Sequence, residues 1–328
     1  MISVPSVKPF AVRSPMAEYV QFGTTRSTGT WGGLNTAQIQ WMGAPDLTVE
    51  WGGTGWSGGA ATQVYSVGGY GTNTQFISKA VSGAGSKTIR CYPTDTSGRR
   101  IGKITQITLS FSSSSNATTP LTSVDVKNAR ELNYLYLTTT NVSTTVTSLD
   151  VSGMKKLTTF ILTSGGGGSS YTTSVNVTDC TSLTNLGVSG QQGITSITGL
   201  SSLKNNLQIL SLRNSGGFTS LDVSDFGSLY NLDLLNCGGL TSLRAQNVML
   251  YTTYYYAYGG YVYSLVGGAN LQYTGLTAGG LNQFYTDLAT ETTANPAIIA
   301  VFGSSGQGYS DPSIATAKNY TVIGNVPP

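Results

Sequence analysis

One copy of the pattern that decides the fold reads Thr219-Ser220-Leu221-Asp222-Val223, followed by Leu229-Tyr230-Asn231-Leu232-Asp233-Leu234. The other copies of the first phrase are Thr122-Ser123-Val124-Asp125-Val126, Thr147-Ser148-Leu149-Asp150-Val151, Thr173-Ser174-Val175-Asn176-Val177, Thr195-Ser196-Ile197 and Thr241-Ser242-Leu243. The other copies of the second phrase are Leu132/Leu135/Leu137, Leu157/Phe160/Leu162, Leu183/Leu186/Val188 and Leu207/Leu210/Leu212. Both series return every 22 to 26 residues and stay in step, which predicts a solenoid of stacked coils.

The second phrase explains how such coils hold together. Its last two apolar residues lie two positions apart and therefore share one face of a β-strand. A single coil cannot bury that face, whereas stacked neighbours form a continuous core. The Leu-x-x-Leu-x-Leu spacing is typical of leucine-rich repeats. The alternative is a β-sandwich whose strands are similar by chance, and two series in register over about five coils argue against it.

The composition excludes several classes of protein. Charged residues make up 9% of the 328 residues, well below the ~25% of ordinary soluble domains. Apolar residues make up 39%, and the chain has 19 Tyr, so it can bury a core and is unlike a disordered chain. The formal net charge is only +3, and no Lys/Arg cluster is present that could neutralise phosphates. Nucleic acid is therefore not an expected partner.

The residues that usually carry metal or acid–base chemistry are sparse. The chain has no His and only three Cys, without a Cys-x-x-Cys spacing. Cys180 and Cys237 each precede a repeat leucine by three residues, which predicts equivalent buried positions. The four Glu stand in four different contexts, so the carboxylate pair of a polysaccharide-cleaving enzyme is not visible. We expect no cofactor, no metal and no enzymatic activity.

Three acidic residues recur at one position of the repeat. Asp125, Asp150 and Asp222 could be mistaken for a row of catalytic or metal-binding carboxylates. Asn176 and Arg244 interrupt the row, and like charges stacked one coil apart would repel. We interpret these residues as solvent-facing or turn-capping.

Residues 1–30 are predicted to be irregular, because prolines punctuate short apolar pieces there. Such a segment is either an ordered arm against a partner or a loose tail. It begins no signal peptide, and no stretch of the chain approaches the ~20 apolar residues of a membrane span. We expect a protein that is made in a cytoplasm, is not exported by the general route and does not span a membrane.

Residues 31–114 change to alternating apolar and polar positions, as in Ala37-Gln38-Ile39-Gln40-Trp41 and Ile107-Thr108-Leu109-Ser110-Phe111. This predicts an all-β sandwich. The segment from Leu47-Thr48-Val49-Glu50-Trp51-Gly52-Gly53 to Gly68-Gly69-Tyr70-Gly71-Thr72 resembles a polycystic-kidney-disease-type (PKD-like) Ig-like domain, although Gly53 stands where that family has Asp. The resemblance implies a spacer that presents other modules.

Seven tyrosines are crowded into thirteen residues after the repeats. They are Tyr251, Tyr254, Tyr255, Tyr256, Tyr258, Tyr261 and Tyr263. Tyrosine combines a flat apolar face with a polar tip, which suits sugar stacking and protein recognition. These residues are the candidate ligand-binding site. The alternative is that they close the open end of the solenoid or pack against a neighbouring subunit.

The C-terminal residues predict a helix, a strand, a second helix and a last strand. Leu281, Phe284, Tyr285 and Leu288 form a helical face, and Asp311-Pro312 begins the second helix. Together with Leu281-Asn282-Gln283-Phe284-Tyr285-Thr286-Asp287-Leu288, the run Asp311-Pro312-Ser313-Ile314-Ala315-Thr316-Ala317-Lys318 resembles the closing segment of BspA-like leucine-rich-repeat proteins. Physically, such a segment is the cap that a solenoid requires.

The predicted fold is mainly β, and its parts are an N-terminal arm (1–30), an Ig/PKD-like β-sandwich (31–114), a leucine-rich-repeat solenoid (115–250) and a Tyr-rich segment with a small α/β cap (251–328). The resemblance implies structural display or adhesion, in tailed-bacteriophage virions or on Bacteroidota-type cell surfaces. We expect a virion protein of the head-decoration, head-fibre or tail-associated kind. It would bind other virion proteins through the arm, form a homo-oligomer and contact a host glycan or protein. The alternative is a bacterial cell-surface adhesin.

Overall fold

The structure is a computed structural model that describes most of the chain. The described residues are 18–24, 29–31, 36–53, 61–69, 71–77, 79–81, 86–100, 102–112, 121–140, 146–165, 172–258, 261–293 and 295–325. Most of the predicted N-terminal arm therefore lies outside the described residues.

Strands dominate the described part of the chain. The N-terminal strands are β1 (Val20–Thr24), β2 (Gly29–Trp31), β3 (Thr36–Met42), β4 (Asp46–Gly53), β5 (Thr62–Ser66), β6 (Thr72–Ile77), β7 (Lys79–Val81), β8 (Lys87–Thr94), β9 (Lys103–Ser112) and β10 (Leu121–Asp125). The repeats supply β11 (Tyr134–Thr140), β12 (Ser148–Asp150), β13 (Thr159–Gly165), β14 (Ser174–Asn176), β15 (Asn185–Ser189), β16 (Ile197–Thr198), β17 (Ile209–Ser211), β18 (Ser220–Asp222), β19 (Asn231–Asp233) and β20 (Ser242–Arg244), with a 3-10 helix at Leu200–Leu203. The last elements are β21 (Thr252–Tyr258), β22 (Tyr261–Asn270), α1 (Ala278–Asp287), β23 (Ala297–Ala300), α2 (Ser313–Thr316) and β24 (Tyr320–Ile323).

One sheet, here called the long sheet, runs through the whole molecule. Its strand order is β6-β3-β9-β11-β13-β15-β17-β19-β22-β23-β24, and β21 pairs with β22 beside this path. The strands from β9 to β24 along this path are parallel, whereas β3 pairs antiparallel with both β6 and β9. The coils of the predicted solenoid are thus present as a β-solenoid of about seven turns.

A second layer lies opposite the long sheet. It begins with the antiparallel sheet β10-β1-β8-β4-β5 and continues with the short sheets β12-β14-β16 and β18-β20. At the C-terminal end this layer continues with α1, which lies beside β20. Asp287 at the end of α1 accepts hydrogen bonds from Arg244 of β20 (Nε–Oδ2 2.6 Å) and from the amide of Ala245. The two layers enclose one cluster of buried side chains that reaches from Val20 to Tyr320.

The leucines of the second phrase build the centre of this core. Leu186, Leu210 and Leu232 lie in register on neighbouring strands and are completely buried. Burial of each such side chain stabilises the fold by roughly 1.5–3 kcal/mol before the entropy of ordering is subtracted. Stacking of the coils, together with the opposite layer, provides this burial.

Asn and Asp shape the corners between the layers. Asp179, Asn214, Asp225, Asn236 and Asn247 all have left-handed backbones, with φ between 57° and 63°. Their short polar side chains tolerate this conformation better than most residues do. Each of these residues follows a strand, so Asn or Asp forms the left-handed corner at five places, whereas Gly153, Gly190 and Gly199 take that conformation after β12, β15 and β16.

Glycine at one corner lets neighbouring coils touch through their backbones. A Cβ on Gly217 would lie 2.5 Å from the carbonyl oxygen of Ile194, and one on Gly275 would lie 2.5 Å from that of Gly238. A Cβ on Gly239 would overlap the carbonyl oxygen of Gly216. Any side chain here would push two coils apart.

Two predictions about the N-terminal half need correction. The segment 1–30 is not irregular throughout, because Val20–Thr24 form β1 between β8 and β10. The phrase at Thr122–Val126 does not pair with its repeat partners, since β10 pairs antiparallel with β1.

The strands predicted around Ile39, Val49 and Leu109 are confirmed as β3, β4 and β9. The Ig-like arrangement of residues 31–114 stays a prediction.

The predicted C-terminal elements are confirmed. Leu281, Phe284 and Tyr285 are buried on one face of α1, and β23, α2 and β24 follow as expected. The parallel strands β23 and β24 extend the long sheet beyond the repeats. The C-terminal segment therefore adds coils in which helices replace the short strands.

Candidate functional site

The long sheet has a second face, called the outer face, whose side chains point away from the core. Its residues alternate along each strand with the buried leucines. Strand pairing aligns them in rows, and the middle row between β6 and β19 consists of Phe76, Gln38, Thr108, Tyr136, Ile161, Gly187, Ser211 and Asp233. The row contains one carboxylate and otherwise aromatic, aliphatic, hydroxyl and amide groups.

A pair of tyrosines lies within this face. Tyr134 and Tyr136 flank the buried Leu135, so both side chains leave the sheet on the outer side. Their rings are nearly parallel, with centroids 6.5 Å apart and an interplanar angle of 16°. Together they form an aromatic platform on β11.

The charged residues of the face occur in pairs. Arg213 donates to Asp233 from Nε at 3.0 Å and from Nη2 at 2.8 Å. At the edge where β9 begins, Nζ of Lys103 lies 3.7 Å from Oε1 of Glu131. The described rows between β6 and β19 therefore have little net charge.

Beyond β19 the hairpin of β21 and β22 folds back over the outer face. The chain reverses at Gly267 and Gly268, which both have φ near +80°. A Cβ on either glycine would overlap a backbone oxygen, from Tyr251 or from Ile298. Only glycine provides both this conformation and this close approach.

Gln272 holds the folded hairpin in place. Its side-chain amide donates to the carbonyl of Val262 at 2.8 Å and accepts from the amide of Val262 at 2.9 Å, as a strand neighbour would. It also donates to Oδ1 of Asn270 at 3.0 Å. Gln272 and Asn270 point out of the long sheet and yet are buried, as Val262 is. The hairpin thus covers the outer face at β22 and forms a step at the end of the open face.

The structure brings the seven predicted tyrosines together in this hairpin. Tyr251 precedes β21, is 37% exposed and stacks on Tyr230 with centroids 4.5 Å apart. Burial, and secondarily the neighbouring Tyr230, raise the pKa of Tyr251. Tyr254 is 57% exposed. For Tyr255, Tyr256, Tyr258 and Tyr261 only the backbone pairing lies within the described part of the structure, and Tyr263 lies within β22 at an irregularity of that pairing.

The hairpin does not close the solenoid. The long sheet continues past it through β23 and β24, so the alternative that the tyrosines close the open end is wrong. Contact of these tyrosines with a ligand or with a neighbouring subunit stays a prediction.

Sequence reasoning missed Tyr134, Tyr136 and Gln272. The first two occupy the variable positions of the repeat, on either side of Leu135. Those positions look like ordinary solvated residues in the sequence. Their place in the repeat could have identified them, because every position that alternates with the buried leucines lies on the outer face.

The repeated aspartates cap turns, as predicted. Oδ1 of Asp125, Asp150 and Asp222 accepts the amide hydrogen two residues later, at 3.2, 2.9 and 2.8 Å. Asp150 also pairs with Lys127 of the preceding corner. Burial alone would raise the pKa of Asp150, but hydrogen bonds from Lys127 and Ser152 outweigh it and lower that pKa.

The cysteines are buried, as predicted. Cys180 and Cys237 donate to carbonyl oxygens of Val151 (3.1 Å) and Leu212 (3.0 Å). Burial raises the pKa of both thiols to about 11. They lie at opposite corners, one after β14 and the other after β19, so the prediction that their positions are equivalent is wrong.

Comparison with protein-family models, with curated proteins and with solved structures finds no match to this chain. Within the described ranges, no cluster of three or more Cys or acidic side chains could hold a metal ion. The helices in those ranges are too short or too polar to cross a membrane.

Proposed function

We propose that the protein is a non-enzymatic virion protein of a tailed bacteriophage that displays the outer face to a ligand on the host surface. The resemblance of the repeats and the closing segment to BspA-like proteins supports a display role, and the low content of charged residues, 9%, favours the virion over the cell surface. The observation that carries the binding role is the open outer face, where the Tyr134–Tyr136 platform lies among uncharged polar groups in register from β6 to β19. Repeat proteins use extended surfaces of this kind for binding.

The chemistry of the face favours recognition over catalysis. Arg213 and Asp233 are paired with each other. The remaining tyrosine, hydroxyl and amide groups recognise ligands by stacking and hydrogen bonding. Such groups support binding without a reaction.

In this proposal the segment before Val20 attaches the protein to other virion proteins, and the particle carries it as a homo-oligomer. The core that is shared by both layers supports a display role, because it joins the attachment end to the coils as one stiff projection.

Immunogold labelling tests the virion assignment. An antibody raised against the full chain is applied to phage particles purified on a density gradient and to the intact cells that produce them. We expect label on the particles. Label on the cell surface and none on the particles would instead establish the alternative, a bacterial adhesin that uses the same face.

Flow cytometry tests the binding role separately. Fluorescently labelled full chain is incubated with a panel of Bacteroidota cells, together with the variants Tyr136→Ala and Tyr309→Ala. We expect Tyr136→Ala to bind less than the unmodified chain. Tyr309 is 70% exposed and lies outside the outer face, so its variant should bind normally. Equal binding by all three proteins would contradict a role for the outer face.

A further inference from the structure

We infer that the protein forms a two-fold dimer in which β6 pairs antiparallel with β6 of a second copy, so that two long sheets become one. The inference rests on the proposed function and deepens its homo-oligomer, because it names the strand that joins the copies and the register of the contact.

The strand β6 forms a free edge of the long sheet. Within the described pairings it pairs with β3 alone, over six residues in unbroken register. The outer backbone groups of such a strand are a template for pairing with another strand, and natural proteins usually protect them with Lys, Pro, a bulge or a very short strand. The sequence of β6, Thr72-Asn73-Thr74-Gln75-Phe76-Ile77, has none of these protections.

The other edges of the molecule are better protected. Four edge strands of the second layer, β10, β12, β18 and β20, have five residues or fewer, and each contains a charged residue: Asp125, Asp150, Asp222 and Arg244. The last strand of the long sheet, β24, has four residues. The hairpin strand β21 has a bulge at Thr253. Among the edge strands that the structure describes, β6 is thus the longest that keeps an unbroken register.

The second layer ends on the same side of the molecule. Its last strand away from the repeats is β5, which directly precedes β6 in the chain and is also uncharged. Val64 of β5 and Phe76 of β6 are 53% and 58% exposed. A second copy placed against these edges would remove apolar area from water, which favours association.

The absence of charge selects a second copy as the occupant of this end. The segments 27–45 and 51–78, which contain β2, β3, β5 and β6, have no charged residue. A different protein is commonly selected by complementary charges, and these strands offer none. In a two-fold contact each residue near the axis meets its own equivalent, so a charged residue there would repel itself. The composition of this end therefore suits self-association.

The side chains of β6 set the register of the contact. Thr72, Thr74 and Phe76 are exposed on the outer face, and the half-buried Asn73 and Gln75 alternate with them. An axis at Thr74 places Thr74 opposite Thr74 of the second copy. It also places Asn73 opposite Gln75, and Thr72 opposite Phe76. Hydroxyl and amide groups both donate and accept, so like groups pair with each other across the axis.

The symmetry of this pairing connects the dimer to display. The two-fold axis would stand perpendicular to the long sheet, so each face of the sheet stays on its own side. Both outer faces would then point the same way, toward one host surface. Two linked faces bind such a surface more tightly than one face does, without any new contact.

Sedimentation velocity of the full chain, from about 0.1 to about 100 µM, measures the dimer. The unmodified chain is compared with Thr74→Lys and Thr253→Lys, because both threonines are exposed on edge strands and only Thr74 lies at the proposed axis. We expect the unmodified chain and Thr253→Lys to dimerise alike. Thr74→Lys should raise the dissociation constant about tenfold or more, because like charges then lie opposite each other.

Oxidative cross-linking tests the register. The Cα atoms of the two opposed Thr74 residues would lie about 4.5–5.5 Å apart, which suits a disulfide. The two Thr72 residues would lie about 14 Å apart, so Thr72→Cys is the matched control. We expect a disulfide-linked dimer in Thr74→Cys and none in Thr72→Cys. The three native cysteines are buried and do not compete.

Melting temperatures show whether the variants fold, and if Thr74→Lys melts lower, the cross-link decides. Four results would overturn the inference. They are a monomer over the whole concentration range, a dimer that Thr74→Lys leaves intact, dissociation in Thr253→Lys instead, and equal cross-linking at positions 72 and 74. A dimer that uses another surface leaves the homo-oligomer of the proposed function standing, and immunogold labelling tests the virion assignment independently.

Discussion

Replacement of Gln272 by Met tests how the hairpin is held on the outer face. Methionine keeps the length of the side chain and removes its amide. Three hydrogen bonds would be lost, two with Val262 and one with Asn270. Because the Gln272 side chain is completely buried, water cannot replace them while the hairpin stays in place.

The expected cost follows from these contacts. At about 0.5–1.5 kcal/mol for each net hydrogen bond, the change should destabilise the closed hairpin by about 2–4 kcal/mol. The hairpin can relieve the cost by detaching, which exposes its polar groups to water. The opening equilibrium should therefore rise between about thirtyfold and about a thousandfold, while the stacked coils stay folded.

Hydrogen exchange followed by mass spectrometry measures this opening. Peptides from β21 and from the first half of β22 should lose protection in Gln272→Met, and peptides from β15 to β19 should not. Gln208→Met is the matched control, because Gln208 is exposed in the same solenoid. Unchanged protection of the hairpin, or an equal loss of protection over all coils, would refute the idea that Gln272 holds only the hairpin in place.

Three further predictions concern the solenoid. Gly239→Ala should destabilise the fold by about 1–3 kcal/mol in urea unfolding, because its Cβ would overlap the carbonyl of Gly216, whereas Gly227→Ala, with open space, should be neutral or slightly stabilising. Burial alone would raise the pKa of Asp287, but hydrogen bonds, chiefly from Arg244, lower it, so its contribution is present above the unfolded pKa of about 3.9 and is lost as pH falls through the folded value. Asp287→Asn should therefore lower the melting temperature at pH 7 and have little effect in strong acid; an equal effect at both would contradict this. The three Cys thiols are buried, so Ellman's reagent should react with none in the native protein and with all three in denaturant.

The repeats could be predicted from the sequence because their signal is local and repeated. Leu210 and Leu212 must share one strand face wherever the coil lies, and their burial follows from stacking. The face of α1 is local in the same way, because helical spacing alone brings Leu281, Phe284 and Tyr285 together.

The N-terminal half was less predictable, because its pairings join distant residues. Thr122–Val126 carries the same phrase as the other coils, but β10 lies beside β1, which is about a hundred residues earlier in the chain. A repeat phrase specifies that a strand forms and which side of it is apolar. It does not specify the neighbour, since pairing depends on what else reaches that edge.

The candidate site, too, was predictable from the sequence only in part. The tyrosine cluster is visible in the sequence, but its position on the outer face depends on the reversal at Gly267 and Gly268 and on Gln272. Tyr136 and Gly187 are ordinary residues of two separate repeats, 51 positions apart, until strand register places them in one row.

The sequence by itself determined the strands of the repeats, the turn-capping aspartates and the apolar side of each coil, because alternation and turn residues act over a few neighbouring positions. Only the tertiary structure decided which outward residues align, that Gln272 is buried beneath a hairpin and that the long sheet joins the N-terminal strands to the coils. Register and burial are collective properties, because the free energy of each contact depends on a partner supplied by a distant part of the chain.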